Sequence, residues 1–148
     1  MAVVAHDAGA ANLIIAWLKD WEWSVRACVH GPARKLWEQA FPNQFTFATP
    51  EEAMQGCASL LSGTGWASAL EHDARCTGLA RGIRVAAVVD HWVNYPQRFE
   101  RENQTVWPDE LWVADDWARD IARQTLPSLP IRQFENLYLN GQIARVSA

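Results

Sequence analysis

The sequence has few of the residues that hold small folds together through covalent bonds or metal ions. Its three cysteines, Cys28, Cys57 and Cys76, are widely spaced and form no Cys-x-x-Cys pair, which indicates free thiols and no structural zinc. No apolar run approaches the roughly 20 residues that span a bilayer, and the first residues lack the basic segment of a signal peptide. We therefore expect a cytoplasmic protein with no membrane span and no metal site.

Charge is also sparse, and it is evenly distributed. Charged residues make up 20% of the 148 residues, the formal net charge is −4, and the 13 lysines and arginines form no cluster. A nucleic-acid partner is therefore not expected, because such partners are held by a basic face. Hydrophobic residues make up 49% of the chain, and no linker or repeat divides it, which predicts a single Rossmann-like domain over residues 1–148.

Short β-branched runs alternate with helical stretches along the chain, which predicts an α/β protein. The expected fold is a three-layer, Rossmann-like, doubly wound parallel sheet of six to seven strands. Strands are predicted at residues 2–5, 24–29, 45–48, 58–61, 85–89, 111–114 and 131–134. Helices are predicted at residues 10–19 and 66–80, after Gly31-Pro32, Thr49-Pro50 and Asp115, and at residues 137–146.

Polar residues and glycines follow the predicted first, fourth and fifth strands. With the usual strand order 3-2-1-4-5-6, the turns at residues 6–12, 62–66 and 90–92 share the sheet edge where such folds bind ligands. A dinucleotide fingerprint is absent, because Gly9 stands alone and Ala11 occupies the place of a second glycine. A Walker-type phosphate loop is absent too, so no nucleotide cofactor is expected.

The turn Ser62-Gly63-Thr64-Gly65-Trp66 is the strongest anion-binding candidate. Two glycines with positive φ would let backbone N–H groups converge at a helix N-terminus, where phosphate or carboxylate is favoured. The alternative is a tight strand-to-helix turn with Thr64 as the N-cap. The sequence leaves both interpretations open.

Two acids and a histidine at this edge are candidates for acid/base chemistry. Asp7 and Asp90 each follow a strand, and His6 and His91 adjoin them in sequence. Helix capping is the more frequent reason for either acid, and His6 fits an ordered, hydrogen-bonded residue beneath the turn better than a catalytic one. The four histidines lack metal-ligand spacing.

The connection between the predicted fifth and sixth strands is about 17 residues long, beyond the usual length of such loops. It contains Trp92, Tyr95, Arg98 and Phe99, and could close over a ligand, with aromatic faces on a sugar ring and arginine on a phosphate. The alternative is a structural loop in which Arg98 pairs with an acid such as Glu102. Three other tryptophans, Trp17, Trp37 and Trp112, are predicted to lie in the core.

Several segments together resemble bacterial surface-carbohydrate biosynthesis proteins of the two-domain GT-B type, which include glycosyltransferase-like and sugar-nucleotide epimerase-like enzymes. The densest stretch is Val88-Val89-Asp90-His91-Trp92-Val93-Asn94-Tyr95. The other segments are Asp7-Ala8-Gly9-Ala10-Ala11-Asn12, Ser62-Gly63-Thr64-Gly65-Trp66, Leu70-Glu71, Gly82-Ile83, Arg98-Phe99 and Pro108-Asp109-Glu110-Leu111-Trp112-Val113.

The resemblance implies the N-terminal, acceptor-side half of such an enzyme. It implies a sugar or phosphorylated-sugar ligand, with a second Rossmann-like chain or a homo-oligomer completing the protein. The acid/base candidates are Asp7, Asp90 and His91. The candidate substrate-binding residues are His6, Gly9, Asn12, Gly63, Thr64, Gly65, Trp66, Trp92, Tyr95 and Arg98. The alternative is a non-catalytic binding or assembly module, because the fold by itself does not define a function.

Overall fold

A parallel β-sheet forms the centre of the protein in the computed structural model, which describes residues 1–21 and 24–147. Its strands are β1 (Ala2–Ala5), β2 (Arg26–Val29), β3 (Ser59–Ser62), β4 (Arg84–Val88), β7 (Glu110–Val113) and β8 (Ile131–Gln133). Two further short strands, β5 (Glu100–Arg101) and β6 (Gln104–Thr105), form a separate antiparallel hairpin. The main sheet has the order β2-β1-β3-β4-β7-β8, and all its described pairs are parallel.

Helices cover both faces of this sheet. They are α1 (Ala8–Asp20), α2 (Gly31–Ala40), α3 (Pro50–Met54), α4 (Leu70–Ala80), α5 (Asp116–Thr125) and α6 (Leu137–Ser147). Alternate strand residues face opposite ways, so Val3 and Ala5 pack with α1 and α2, whereas Ala2 and Val4 pack with α3 and α4. The predicted three-layer, doubly wound, Rossmann-like α/β fold is confirmed. Within the described residues, no helix combines the length and the apolarity needed to cross a membrane.

The predicted core tryptophans and helix caps are also confirmed. Trp17, Trp37 and Trp112 are almost fully buried. The Thr49 side chain accepts a hydrogen bond from the Glu52 N–H at the start of α3, and Asp115 accepts one from the Ala118 N–H at the start of α5. These caps satisfy backbone donors that the first helical turn leaves without partners.

Two predicted elements differ from the structure. The strand at residues 45–48 is reduced to one bridge between Ala27 and Thr46, since Phe45 is largely exposed and only a few residues separate the preceding turn from the cap of α3. The helix predicted from Trp66 begins instead at Leu70. Residues 66–69 form a loop whose carbonyl at Ser68 accepts a hydrogen bond from Arg101.

The long connection at residues 90–107 is a folded segment. It contains a 3-10 helix, Pro96–Phe99, followed by the β5-β6 hairpin. The hairpin turns at Glu102 and Asn103, which both have positive φ, as two-residue hairpin turns of type I′ require. Because this turn lacks the usual Asn-Gly pair, the hairpin was not predicted from the sequence.

Candidate functional site

The loops after β1, β3 and β4 meet at the carboxyl edge of the sheet and enclose a cleft of about 290 Å³. This is the edge that the predicted strand order selected. Eight of the predicted site residues line the cleft, together with Val93 and Asn94, which the sequence analysis did not select. The eight are Asp7, Gly9, Thr64, Gly65, Trp66, Asp90, His91 and Arg98.

Glycines at this edge allow carboxylates to lie directly against the backbone. A Cβ on Gly65 would stand 1.7 Å from Asp7 Oδ2, and one on Gly63 would stand 1.9 Å from Glu71 Oε2. Neither glycine adopts the positive φ that glycine tolerates, since only Gly31, Gly56 and Gly82 have it among the described glycines. The glycines are required here for close approach and not for left-handed backbone.

The turn at residues 62–66 already holds an anionic group from the chain itself, the side chain of Glu71. Glu71 Oε1 accepts the Gly65 N–H at 2.9 Å, and Oε2 accepts the His6 N–H at 3.3 Å. The turn also does not open a helix directly, because α4 begins several residues later. The interpretation of this turn as an anion site stays a prediction, with its Gly65 N–H bonded to Glu71. The alternative with Thr64 as the N-cap of α4 is wrong, because Ala69 holds that position and the Thr64 hydroxyl donates to the Val88 carbonyl at 2.8 Å.

Glu71 is fully buried, and this burial raises the pKa of its carboxyl to about 7, while the Gly65 N–H and the Arg75 charge act in the opposite direction. Arg75 lies one turn further along α4, also buried, and donates to the Ser62 hydroxyl at 3.0 Å and to the Gly63 carbonyl. Burial lowers the pKa of the Arg75 guanidinium to about 10. In the sequence, the two residues look like an ordinary i,i+4 surface pair, which is why their role was missed.

Asp7 and His6 form a direct pair at the end of β1. His6 Nδ1 lies 2.6 Å from Asp7 Oδ1, so sequence adjacency does bring the two side chains together here. His6 itself lies outside the cleft, since its ring is close to Gly31, where an added Cβ would meet Nε2 at 2.6 Å. Asp7 is therefore the member of the pair that lines the cleft, and its side chain is 32% exposed.

Asp90 follows β4, and its carboxylate lies next to the side chains of Arg98 and His91. Its Oδ1 accepts from Arg98 Nη1 at 2.8 Å, and its Oδ2 is 3.4 Å from His91 Nε2. Arg98 is buried and also donates to the Thr64 hydroxyl at 3.0 Å and to the Val93 carbonyl at 3.1 Å. The structural alternative, in which Arg98 pairs with an acid, is therefore confirmed, and the acid is Asp90 and not the example given, Glu102.

The aromatic residues of the site separate into exposed and buried groups. Trp66 lines the cleft and is 51% exposed, and Trp92 is similarly exposed but lies outside the cleft. Tyr95 is buried against α5 and the sheet, beside Phe99, and burial raises the pKa of its phenol to about 12. Neither Tyr95 nor Asn12 nor Gly63 lines the cleft.

Metal binding finds no support in the residues that the structure describes, 1–21 and 24–147. They contain no group of three or more histidine, cysteine, aspartate or glutamate side chains arranged to hold an ion. The groups that line the cleft are the carboxylates of Asp7 and Asp90, an exposed imidazole at His91, an exposed indole at Trp66 and the paired guanidinium of Arg98.

No protein-family model, curated protein or solved structure matches this chain. Fold and site together define an α/β protein of the Rossmann-like class with a polar cleft at the carboxyl edge of its sheet. The resemblance to GT-B carbohydrate enzymes remains a prediction, and so do the roles assigned to individual residues.

Proposed function

We propose that the cleft binds a sugar and that the chain is the acceptor-side half of a glycosyltransferase-like enzyme. The observation that carries sugar binding is that Asp7, Asp90 and an exposed indole, Trp66, line one cleft. Carboxylates accept hydrogen bonds from sugar hydroxyls, and the face of an indole ring stacks on the apolar face of a sugar ring. The transferase part of the proposal is supported by the sequence resemblance alone.

The charges of the cleft favour a sugar without a phosphate group. Among the residues that the structure describes, Arg98 is the only lysine or arginine that lines the cleft. Its guanidinium already bonds Asp90, Thr64 and the Val93 carbonyl. A phosphate group placed here would approach two carboxylates, and like charges at short range repel. A neutral, hydroxyl-rich ligand has no such penalty.

In a transfer reaction, Asp7 is the candidate general base. Its carboxylate would take the proton of an acceptor hydroxyl as that oxygen bonds to the anomeric carbon of a donor sugar and the donor's leaving group departs. A hydrogen bond of 2.6 Å between His6 Nδ1 and Asp7 Oδ1 holds the Asp7 carboxylate in place. The donor would be bound by a partner chain or second protomer, and α6 exposes Leu139, Ile143 and Val146 for such a contact.

A second candidate function is a binding module without catalysis. It is favoured by Glu71, which bonds the Gly65 N–H of the turn that was the anion-binding candidate. Incubation of the purified chain with sugar nucleotides and acceptor sugars distinguishes the two functions. Formation of product favours the transferase, whereas binding of sugar without product favours the module.

The binding proposal is tested by titrating the protein with glucose, galactose, mannose and N-acetylglucosamine, using calorimetry and saturation-transfer NMR. We expect Trp66→Ala to weaken binding of the preferred sugar by about tenfold, which corresponds to about 1.4 kcal/mol. Trp117→Ala is the matched control, because Trp117 is 72% exposed and lies on α5, away from the cleft. Equal affinity of wild type and Trp66→Ala, or tighter binding of glucose 6-phosphate than of glucose, would contradict the proposal.

A further inference from the structure

A second cavity adjoins the cleft at the same sheet edge. This cavity, here called the hollow, has a volume of about 180 Å³ and shares Gly9, Asp90 and His91 with the cleft. Thr64 and Gly65, which follow β3, line only the cleft, whereas Ala114 and Asp115, which follow β7, line only the hollow. Because β4 lies between β3 and β7 in the sheet, Asp90 stands at the boundary of the two cavities.

We propose that cleft and hollow are two subsites for one saccharide of at least two rings, with the Asp90 carboxylate at their junction. This inference rests on the proposed sugar-binding function and extends it to the class of ligand.

An exposed indole belongs to each cavity. Trp66 lines the cleft and Trp92 lines the hollow, and their exposed fractions are 51% and 56%. The Trp92 N–H donates to both carboxylate oxygens of Asp115 at 3.1 Å, and Asp115 also caps α5. Trp92 is thus an apolar ring held in one orientation although it faces solvent, which suits stacking on a sugar ring.

The polar groups of the hollow suit hydroxyls and not anions. Within residues 1–21 and 24–147, no lysine or arginine lines the hollow, and its charged side chains are Asp90 and Asp115, with His91 beside them. Asn12, Asn136 and Tyr138 add amide and phenol groups, which can donate to and accept from hydroxyls. The diphosphate of a sugar nucleotide would meet two carboxylates and no free cation, so a second neutral ring is the better occupant.

Asp90 is held rigidly enough to serve both subsites. Its side chain is 11% exposed, Oδ1 is bonded to Arg98, and Oδ2 lies so close to Gly9 that an added Cβ would stand 1.8 Å away. A ligand that occupies both cavities therefore passes this fixed carboxylate. The junction between its two rings would lie beside a hydrogen-bond acceptor that the fold itself holds in position.

The test compares each monosaccharide with a disaccharide that contains it: glucose with maltose, galactose with lactose, and N-acetylglucosamine with chitobiose. Calorimetry is performed on wild type, Trp92→Ala, Trp66→Ala and the control Trp117→Ala. We expect wild type to bind the preferred disaccharide about tenfold more tightly than its monosaccharide. Trp92→Ala should abolish that preference and leave monosaccharide affinity unchanged, whereas Trp66→Ala should weaken the binding of both.

The outcomes distinguish the two proposals. If monosaccharides bind but disaccharides bind no more tightly, and Trp92→Ala behaves like Trp117→Ala, the two-subsite inference is overturned and the sugar-binding function stands. If no saccharide binds to wild type, the proposed function fails, and the inference fails with it. Because Trp92 and Trp117 are both largely exposed, neither substitution should prevent folding, and thermal unfolding followed by circular dichroism verifies this.

Discussion

Acidic side chains at the carboxyl edge each pack against a glycine, and these close pairs determine the shape of the cleft. Gly9 lies against Asp90, Gly63 against Glu71, and Gly65 against Asp7, with no room for a Cβ at any of the three glycines. The carboxylates can therefore reach positions between the strand ends that any larger residue would block. At the residue scale, the shape of the cleft therefore depends on these glycines as much as on the acidic side chains that pack against them.

Gly9→Ala tests this close packing. In a helix with free space around the glycine, the same substitution should stabilise the protein, whereas at Gly9 it should destabilise it. Gly9 lies in α1, where alanine is intrinsically favoured over glycine, yet its new Cβ would displace the carboxylate of Asp90. We expect Gly9→Ala to lower the free energy of unfolding by about 1–3 kcal/mol, as overpacking does. Chemical denaturation measures the change.

The control for this prediction is Gly141→Ala, since Gly141 is a helical glycine of α6 with nothing within 4 Å of an added Cβ. We expect Gly141→Ala to stabilise the protein by roughly 0.5–1 kcal/mol. Stabilisation by both substitutions would show that Asp90 does not pack on Gly9 as described.

The segment at residues 90–107 is attached to the carboxyl edge of the sheet at two places, its 3-10 helix and its hairpin. Phe99 is buried in the cluster beneath α5, and Arg98 connects the 3-10 helix to the ends of β3 and β4 through Thr64 and Asp90. The hairpin is attached separately, through Arg101 and the carbonyls of the loop that precedes α4. We predicted a binding loop or lid from the length of this segment, and the structure shows a folded wall of the cleft.

Arg98→Met tests how far this wall depends on one buried ion pair. The substitution leaves the Asp90 carboxylate, which is largely buried, without its cation. Removal of one partner from a buried pair typically costs about 3–5 kcal/mol, so we expect a loss of that order in urea denaturation.

Arg101→Met is the matched control, because Arg101 donates only to backbone carbonyls and its loss should cost about 1 kcal/mol. If Arg98→Met and Arg101→Met destabilise the protein equally, Arg98 does not anchor the segment.

At the scale of the whole molecule, Glu71 links parts of the chain that are distant in sequence. Its two oxygens bond the loop after β1, at His6, and the loop after β3, at Gly65, while Arg75 holds the end of β3 from the same helix. Burial raises the pKa of the Glu71 carboxyl from 4.5 to about 7. In this pH range the folded protein therefore binds a proton that the unfolded chain releases.

This difference predicts the sign of a pH effect on stability. The folded state holds more protons than the unfolded state between pH 4.5 and about 7, so the contribution of Glu71 to the free energy of unfolding is greatest below this window and decreases as pH rises through it. The full change is of the order of 3 kcal/mol, because one pKa unit corresponds to about 1.4 kcal/mol.

Glu71→Gln isolates this contribution, because glutamine does not titrate. We expect the stability of Glu71→Gln relative to wild type to rise as urea denaturation is repeated from pH 4.5 to pH 7.5. A constant offset is also expected, since the glutamine NH2 group is a donor and leaves one of the two backbone N–H groups, at His6 or Gly65, without an acceptor. Glu38→Gln, which removes a carboxylate at an exposed position of α2 outside the cleft, is the matched control for the substitution itself. A pH-independent difference for Glu71→Gln would show that Glu71 does not titrate in this window.

Local patterns in the sequence were sufficient to predict the fold class and which predicted site residues would line one cleft. Alternating strands and helices, the caps Thr49 and Asp115, and the buried tryptophans all depend on residues close in sequence, and the structure confirms them. The usual strand order predicted which turns share one edge of the sheet. Asp7, Gly65 and Asp90 were selected for this reason, and all three line the cleft.

Tertiary structure alone decided how these residues are used. Glu71 fills the turn after β3 because α4 runs back beneath it, and Arg98 meets Asp90 because the segment at residues 90–107 folds over β4. Each contact joins residues from different elements whose meeting no local pattern encodes. The sequence therefore left the glycine-rich turn open between an anion site and a tight turn, and did not predict that Glu71 would bond it. Sequence periodicity determines which residues face the core, whereas the partner of each polar group is determined by the packing of whole elements.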